Sequence, residues 1–227
     1  MGLDWILPVL IPATGLMIGS YLHTMRIYRR FKAIGADKGL TGAQIARALL
    51  DRNGLSDIAV TEGAGRLSDR YDIKDRSISL SRENYRSTSI AAIGIAAHET
   101  GHALQAHDVG RTSLRIAICL MQLAGWGAVL AFSLFFIGLL SGWSDMVLIG
   151  MVVFLGAAGC SLLTLPVEMN ASHRALAQLG SGEFLTDQEL LGARSVLRAA
   201  AWSYVAVTGT ALIQAVRDLI RRDDDSP

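Results

Sequence analysis

His98 and His102 lie four residues apart, and Glu99 directly follows the first of them. On a helix, residues four apart share one face, about one turn from each other. Two imidazoles so placed can grip one Zn²⁺ at about 2.0–2.1 Å each. Glu99 sits beside the pair, able to take a proton from a water on the ion without ligating the ion itself. Zinc lowers the pKa of such a water to about 7, so a carboxylate can deprotonate it for attack on a metal-polarised carbonyl. The spacing is specific. At average residue usage, a chance His-Glu-x-x-His in a chain this long is about a one-in-a-hundred event. The preceding residues, Ala91 to Ala97, are almost wholly apolar or small, which predicts a helix buried on several sides. Burying two histidines and a glutamate requires partners, and a metal ion supplies them.

A catalytic zinc site takes three protein ligands and a water. His23, His107, His173, Glu168 and several aspartates are candidates for the third. His98 and His102 shortly precede an apolar run, Ile116 to Ser144, and Glu168 ends the next one, Met146 to Val167. An outbound and a returning helix would form a hairpin, with both ends at one membrane face. Glu168, starting a polar segment after Leu165-Pro166, could then point back at the histidines. The plainer alternative is a glutamate at a helix N-terminus, favoured by the dipole by a few tenths of a kcal/mol (about 0.3). His107 follows His102 by five residues and so points about 140° away on the same helix. It reads as a surface residue. His173 is a candidate for the layer behind the ligands, and His23 has an interfacial setting. An oxyanion donor is also needed; His173 and Arg174 are near Glu168 in sequence.

Of the 227 residues, 51% are apolar and 18% charged. That excludes a disordered chain, a disulfide scaffold and a collagen-like repeat. The net charge of +1 does not suggest nucleic-acid binding. Cys119 and Cys160 both lie in apolar runs and read as small hydrophobes. A third uncharged run covers Trp5 to Leu22. Each run approaches or exceeds the length that crosses about 30 Å of hydrocarbon as a helix. The first lacks a basic lead and a small-x-small closing site, which favours an uncleaved anchor over a signal peptide. Arg26, Arg29, Arg30, Lys32 and Lys38 follow it at once, so the positive-inside rule places 26–115 in the cytoplasm. The segment from Glu168 onward is placed on the same side. The apolar stretch 199–216 is a candidate fourth span. The arginines around it favour a buried or membrane-surface helix instead. The acidic tail from Asp223 is expected to fray.

Between the spans, Thr41 and Gln44 form a capping box ahead of Ile45, Ala48 and Leu49, and Asn53-Gly54 ends that helix. Ile58 to Val60 predicts a short strand, Gly63 to Gly65 a turn, and Arg66 to Ile73 an extended piece. Ser77 to Ser81 alternates polar and apolar, as a half-buried strand does. Such a strand could be internal, or an exposed edge that receives an extended peptide. A helix follows over 89–106. Thr186 with Glu189 is a second capping box, opening a helix through Leu190, Leu191, Val196 and Leu197.

His98-Glu99-Thr100-Gly101-His102-Ala103-Leu104-Gln105 resembles the H-E-x-G-H-A-x-Q signature of the neutral zinc metallopeptidases of bacterial membranes, the YugP-like family. Leu165-Pro166-Val167-Glu168-Met169-Asn170-Ala171-Ser172-His173-Arg174-Ala175 is similar to that family's second signature, L-P-x-E-x-N-A-S-x-R-A. The stretch from Gly65 to Asp72, then Ile78 to Ser81, resembles the run ahead of the family's zinc helix, with Arg70 where its pattern has histidine. The resemblance implies a gluzincin-type site with Glu168 as third ligand. The second signature is also similar to the E-x-x-A-D motif of heat-shock and prenyl-protein membrane proteases. Ser172 stands where those have a supporting aspartate, and Asn170 is a candidate substitute.

The expectation is therefore a mainly α membrane protein with a small α+β, zincin-like catalytic part and three transmembrane helices, 199–216 being the candidate fourth. Its parts are an anchor over 1–25, a cytoplasmic catalytic part over 26–115, a transmembrane hairpin over 116–167 and a cytoplasmic helical part over 168–227. The reading is an endopeptidase of the bacterial inner membrane holding one Zn²⁺ per chain. His98, His102 and Glu168 are the ligands and Glu99 is the base. Asn170, Ser172, His173 and Arg174 are candidates for support or oxyanion stabilisation. Its partners are the lipid bilayer and a peptide or protein substrate, membrane proteins included. The alternatives are a non-catalytic zinc-binding scaffold or chaperone, and an intramembrane protease. Against the latter, Ile90 to Ala97 is too short to span, and Arg82, Glu83, Arg86, Asp108 and Arg111 flank the zinc helix.

Overall fold

The computed structural model describes residues 7–65, 68–181 and 184–202. The helices are α1 (Leu7–Lys32), α2 (Gly42–Arg52), α3 (Arg82–Arg86), α4 (Ile90–Asp108), α5 (Arg111–Ser141) and α6 (Ser144–Ser181). A further helix, α7, covers 187–202. The strands are β1 (Ala59–Gly63), β2 (Arg70–Asp72) and β3 (Ser77–Ser81). The chain divides into two compact units. One contains Ala117–Leu165; the other consists of His23–Ile116 and Pro166–Ala201.

The second unit carries the chemistry-bearing residues. Its helix ends follow the local signals. Thr41 and Gln44 exchange capping hydrogen bonds at the start of α2. Ser89 caps α4 through the Ala92 N–H. Thr186 and Glu189 do the same for α7, and Glu189 also accepts from the Asp37 N–H at 2.7 Å. The core joins Ile45 and Leu49 of α2, Ile90, Ile93 and Ala97 of α4, Ala175 and Leu179 of α6, and Ala193 and Leu197 of α7. The run before His98 is buried throughout except for Ile95, which is half-buried.

The three strands form one sheet in the order β1-β3-β2, with β1 parallel and β2 antiparallel to β3. β3 is thus the central strand and cannot be the free edge that its alternation allowed. Ile78 to Ser81 are all buried, on both faces. The outer strands are β1 and β2. The β2–β3 turn ends at Arg76, whose φ of 47° is the left-handed conformation that non-glycine residues rarely adopt. The short helix α3 is absent from the sequence expectation. Ser81 caps it through the Asn84 N–H, and the Asp69 carboxylate accepts from the Ser81 N–H at 2.8 Å and from Asn84 Nδ2 at 3.0 Å.

Among the described residues two helices are long and apolar enough to cross a membrane, α5 and α6, with mean hydropathies of 2.1 and 2.4. In the first unit they pack through small residues: a Cβ on Gly127 would lie 3.1 Å from the Ala157 Cβ. Cys119 and Cys160 are free thiols. The first apolar run forms part of α1 from Leu7 onward. The 199–216 stretch from 203 onward, and the acidic tail, lie outside the described residues. One boundary differs from expectation. α6 runs unbroken through Pro166, so Glu168 is in mid-helix and does not begin a new segment. A proline there deprives the Leu162 carbonyl of its helical N–H, a cost this helix absorbs.

Candidate metal centre

The four-residue spacing of His98 and His102 puts both rings on one face of α4, their centroids 4.7 Å apart and nearly perpendicular. Glu168 reaches them from α6. One carboxylate oxygen lies 3.2 Å from His98 Nε2 and the other 3.6 Å from His102 Nε2. Ligand atoms of all three residues lie within 4.8 Å of one another. Among the described residues they are the group of three or more His, Cys, Asp and Glu side chains so gathered.

What lets α6 come so close is Gly101, inside the motif itself. A Cβ there would stand 2.4 Å from the Ala171 carbonyl oxygen, a backbone atom that a rotamer change cannot move. Ala171 is three residues after Glu168, on the same helical face. The close approach at Gly101 therefore presents Glu168 to both histidines.

The other ring nitrogens are held. His98 Nδ1 is 3.1 Å from Ser172 Oγ, and His102 Nδ1 is 3.0 Å from Gln105 Oε1. Gln105 in turn donates from Nε2 to the Val167 carbonyl and to Asn170 Oδ1. Asn170 also accepts from Arg174 Nε, and Arg174 pairs with Asp108. Gln105 Oε1 only accepts, so the His102 proton sits on Nδ1 and Nε2 is its lone-pair nitrogen; the Ser172 hydroxyl, which can donate or accept, holds the His98 ring plane without setting its tautomer. Gln105 was given no role in the sequence reading. Its signal was present: it is three residues after His102, hence on that histidine's face.

The sequence-named residues separate clearly. His98, His102 and Glu168 converge, with Glu99 beside them on α4. Ser172 touches His98, and Asn170 and Arg174 belong to the network behind His102. His173 is exposed. Of the rival ligands, His23 is exposed and His107 pairs with Asp108 at 3.0 Å.

Electrostatics follow burial. Desolvation pushes Glu99 up to about 7; the charges of Glu168 and Asp69 add to this, while His98 and the Tyr71 backbone N–H pull it down. Burial, then the neighbouring His98, lowers His102 to about 4, so its imidazole is neutral and able to ligate. For His98 burial pulls downward, but the hydrogen bond to Glu168 and the charges of Glu99 and Glu168 outweigh it and the net shift is upward. Burial would raise Glu168, yet the hydrogen bond from His98 and both imidazoles hold it below its usual range. A half-buried carboxylate between two imidazoles favours positive charge at that point, which a proton or a divalent cation can supply. Two nitrogens and one oxygen in this arrangement fit a three-ligand zinc site.

Comparisons with known proteins also point to zinc. The family described as "Putative neutral zinc metallopeptidase" matches residues 6–222. A curated relative, "Putative membrane protease YugP" of Bacillus subtilis (strain 168), is 36% identical over 207 residues, covering 91% of this chain and 92% of the relative. No solved structure matches the chain. With its two histidines, its intervening glutamate and a match over almost its whole length, the chain belongs to the neutral zinc metallopeptidase family.

Proposed function

We propose that this chain is a membrane-anchored endopeptidase that holds one zinc ion per chain at His98, His102 and Glu168. The observation that carries the reading is the convergence of those three side chains within 4.8 Å, with both outer ring nitrogens tied down. When bound, zinc acidifies a water and polarises the carbonyl of the scissile peptide. Glu99 is the general base: it takes the proton that the nucleophile loses and returns it to the leaving amine. Ser172 and Gln105 are positioning residues that hold the imidazoles. Arg174, engaged by Asn170 and Asp108, supports Gln105 and is less suited to the oxyanion role. An extended peptide would lie along the outer strand β2, whose Tyr71 N–H faces Glu99, and not along the central β3. The relative's name as a membrane protease and the two apolar helices support membrane anchoring. The basic residues after the first run support a bacterial inner-membrane protein with its site facing the cytoplasm.

Full-length protein purified in detergent should contain zinc in a one-to-one ratio and cleave an unfolded protein. Glu99→Gln should keep the zinc and lose about 10²–10⁴-fold in rate. Cleavage retained by Glu99→Gln would overturn the mechanism. Zinc without any cleavage by the wild type would make the protein a zinc-binding scaffold.

A further inference from the structure

One cavity in the second unit lies beside the metal centre and is not part of it. Its volume is about 380 Å³. That is at the small end of ligand-sized sites, about 300–1,000 Å³, and suits a side chain or two better than a whole peptide. Its position follows from α4 and β2. Ala103, in its wall, is four residues after Glu99, so the cavity opens one helical turn along the same face. Tyr71 lines it, and its backbone N–H is close enough to Glu99 to lower that carboxyl's pKa.

The lining has two characters. Leu55, Ile58 and Ala103 make an apolar wall, whereas Arg76, His107 and Arg111 bring basic groups. The local acids engage two of them and leave Arg111 over. Asp57 engages Nη2 of Arg76 at 2.7 Å, but Arg76 Nε has no acceptor among the described residues. Asp108 is shared between His107 and Arg174. Among the described residues, Arg111 has no ion-pair partner. The left-handed backbone at Arg76 sets that side chain at the cavity from the β2–β3 turn. A guanidinium beside an apolar wall is weakly hydrated and forms paired hydrogen bonds to a planar oxyanion.

We propose that this cavity is a substrate subsite for a carboxylate-bearing residue of the cleaved peptide, bound by Arg111 and Arg76. The proposal rests on the hydrolase reading, because it is the neighbourhood of Glu99 that makes the cavity a subsite. The carboxylate can be an aspartate or glutamate side chain or the peptide's C-terminus. A phospholipid phosphate is the rival occupant, since Arg111 opens the apolar helix α5. The peptide is favoured because Tyr71 and the Glu99 face of α4 form the wall.

The test uses full-length, zinc-loaded protein in phosphatidylcholine nanodiscs and a defined peptide library. Cleavage should place glutamate or aspartate at one fixed position relative to the scissile bond. Matched glutamate and glutamine peptides should differ at least tenfold in kcat/KM. Arg111→Ala should reduce that ratio by tenfold or more and Arg111→Glu should invert it, while Arg82→Ala, on an exposed arginine away from the cavity, keeps it. If amidating the C-terminus abolishes the preference and Glu→Gln within the peptide does not, the terminal carboxylate is the group bound. Binding of labelled peptides to the Glu99→Gln protein reads the cavity without turnover. Selective, Arg111-dependent binding there with no cleavage by the wild type would leave the cavity a carboxylate-binding site and remove the hydrolase reading, and with it the cavity's role as a subsite. Cleavage with no acidic preference, or a preference unmoved by either Arg111 variant, would overturn the subsite and leave the hydrolase intact. So would Arg111-dependent binding to vesicles of anionic lipid with no discrimination among peptides.

Discussion

α4 and α5 are built from the same materials, alanine, glycine and branched apolar residues, and they use them oppositely. α4 is 19 residues long and buries 15 of them inside protein. α5 is 31 residues long and turns large apolar side chains outward, Trp126 at 76% exposure and Leu140 at 84%. Hydrophobicity alone does not separate them. Neighbours do: α4 has α2, α3, the sheet and α6 and α7 around it, so its apolar residues are core and its few polar ones are forced together. A histidine or glutamate on such a helix must be satisfied by a specific partner. Beyond its first turns α5 carries few polar side chains, of which Ser133 and Ser141 bond to carbonyls of their own helix, and its outward residues suit lipid.

Cutting one large side chain from each helix is the broadest test of this contrast. Ile93→Ala, at a position 1% exposed, should cost about 2–5 kcal/mol of stability in detergent. Leu140→Ala should cost less than about 0.5 kcal/mol. Denaturant titration of both variants checks the pair, and equal losses would erase the distinction.

Glycines sharpen it next. Gly101→Ala drives a Cβ against the Ala171 carbonyl, so α6 must retreat and take Glu168 with it. The expected cost is about 1–3 kcal/mol, together with weaker zinc binding in a chelator competition. Gly125 in α5 has nothing within 4 Å of an added Cβ, and Gly125→Ala should leave stability unchanged or slightly raised.

The most local effect concerns a single tether. Ser172→Ala removes the partner of His98 Nδ1 and should weaken zinc binding by about 10–100-fold without unfolding the protein. Circular dichroism and metal competition on one sample separate the two effects. Unchanged affinity would show that packing alone orients His98.

Legibility in the sequence tracked the range of the interaction. The pairing of His98 with His102, the capping boxes at Thr41 and Thr186, and the apolar lengths of α5 and α6 are relations within a few residues or within one helix. Glu168 was reachable through the order of apolar runs, although the helix passes through Pro166 without a break. The short helix α3 escaped although its Ser81 cap is local: five residues are too few to show a helical period, and the Asp69 carboxylate that braces Ser81 and Asn84 comes from another segment. Ser77 to Ser81 carried a two-residue alternation that fits an edge and a centre equally well. Its place was decided by which strands flank it.

The sequence by itself determined that two imidazoles and a carboxylate share a turn of helix, because 3.6 residues per turn is a local property of the backbone. It also determined which stretches are too apolar for water. Only the tertiary structure decided that Glu168 reaches those imidazoles, that Gln105 and Ser172 hold their far sides, and that Arg76 and Arg111 meet at one cavity. Each of these joins segments far apart along the chain, and such meetings depend on how closely backbones can approach. At Gly101 that approach is set by the absence of one carbon atom.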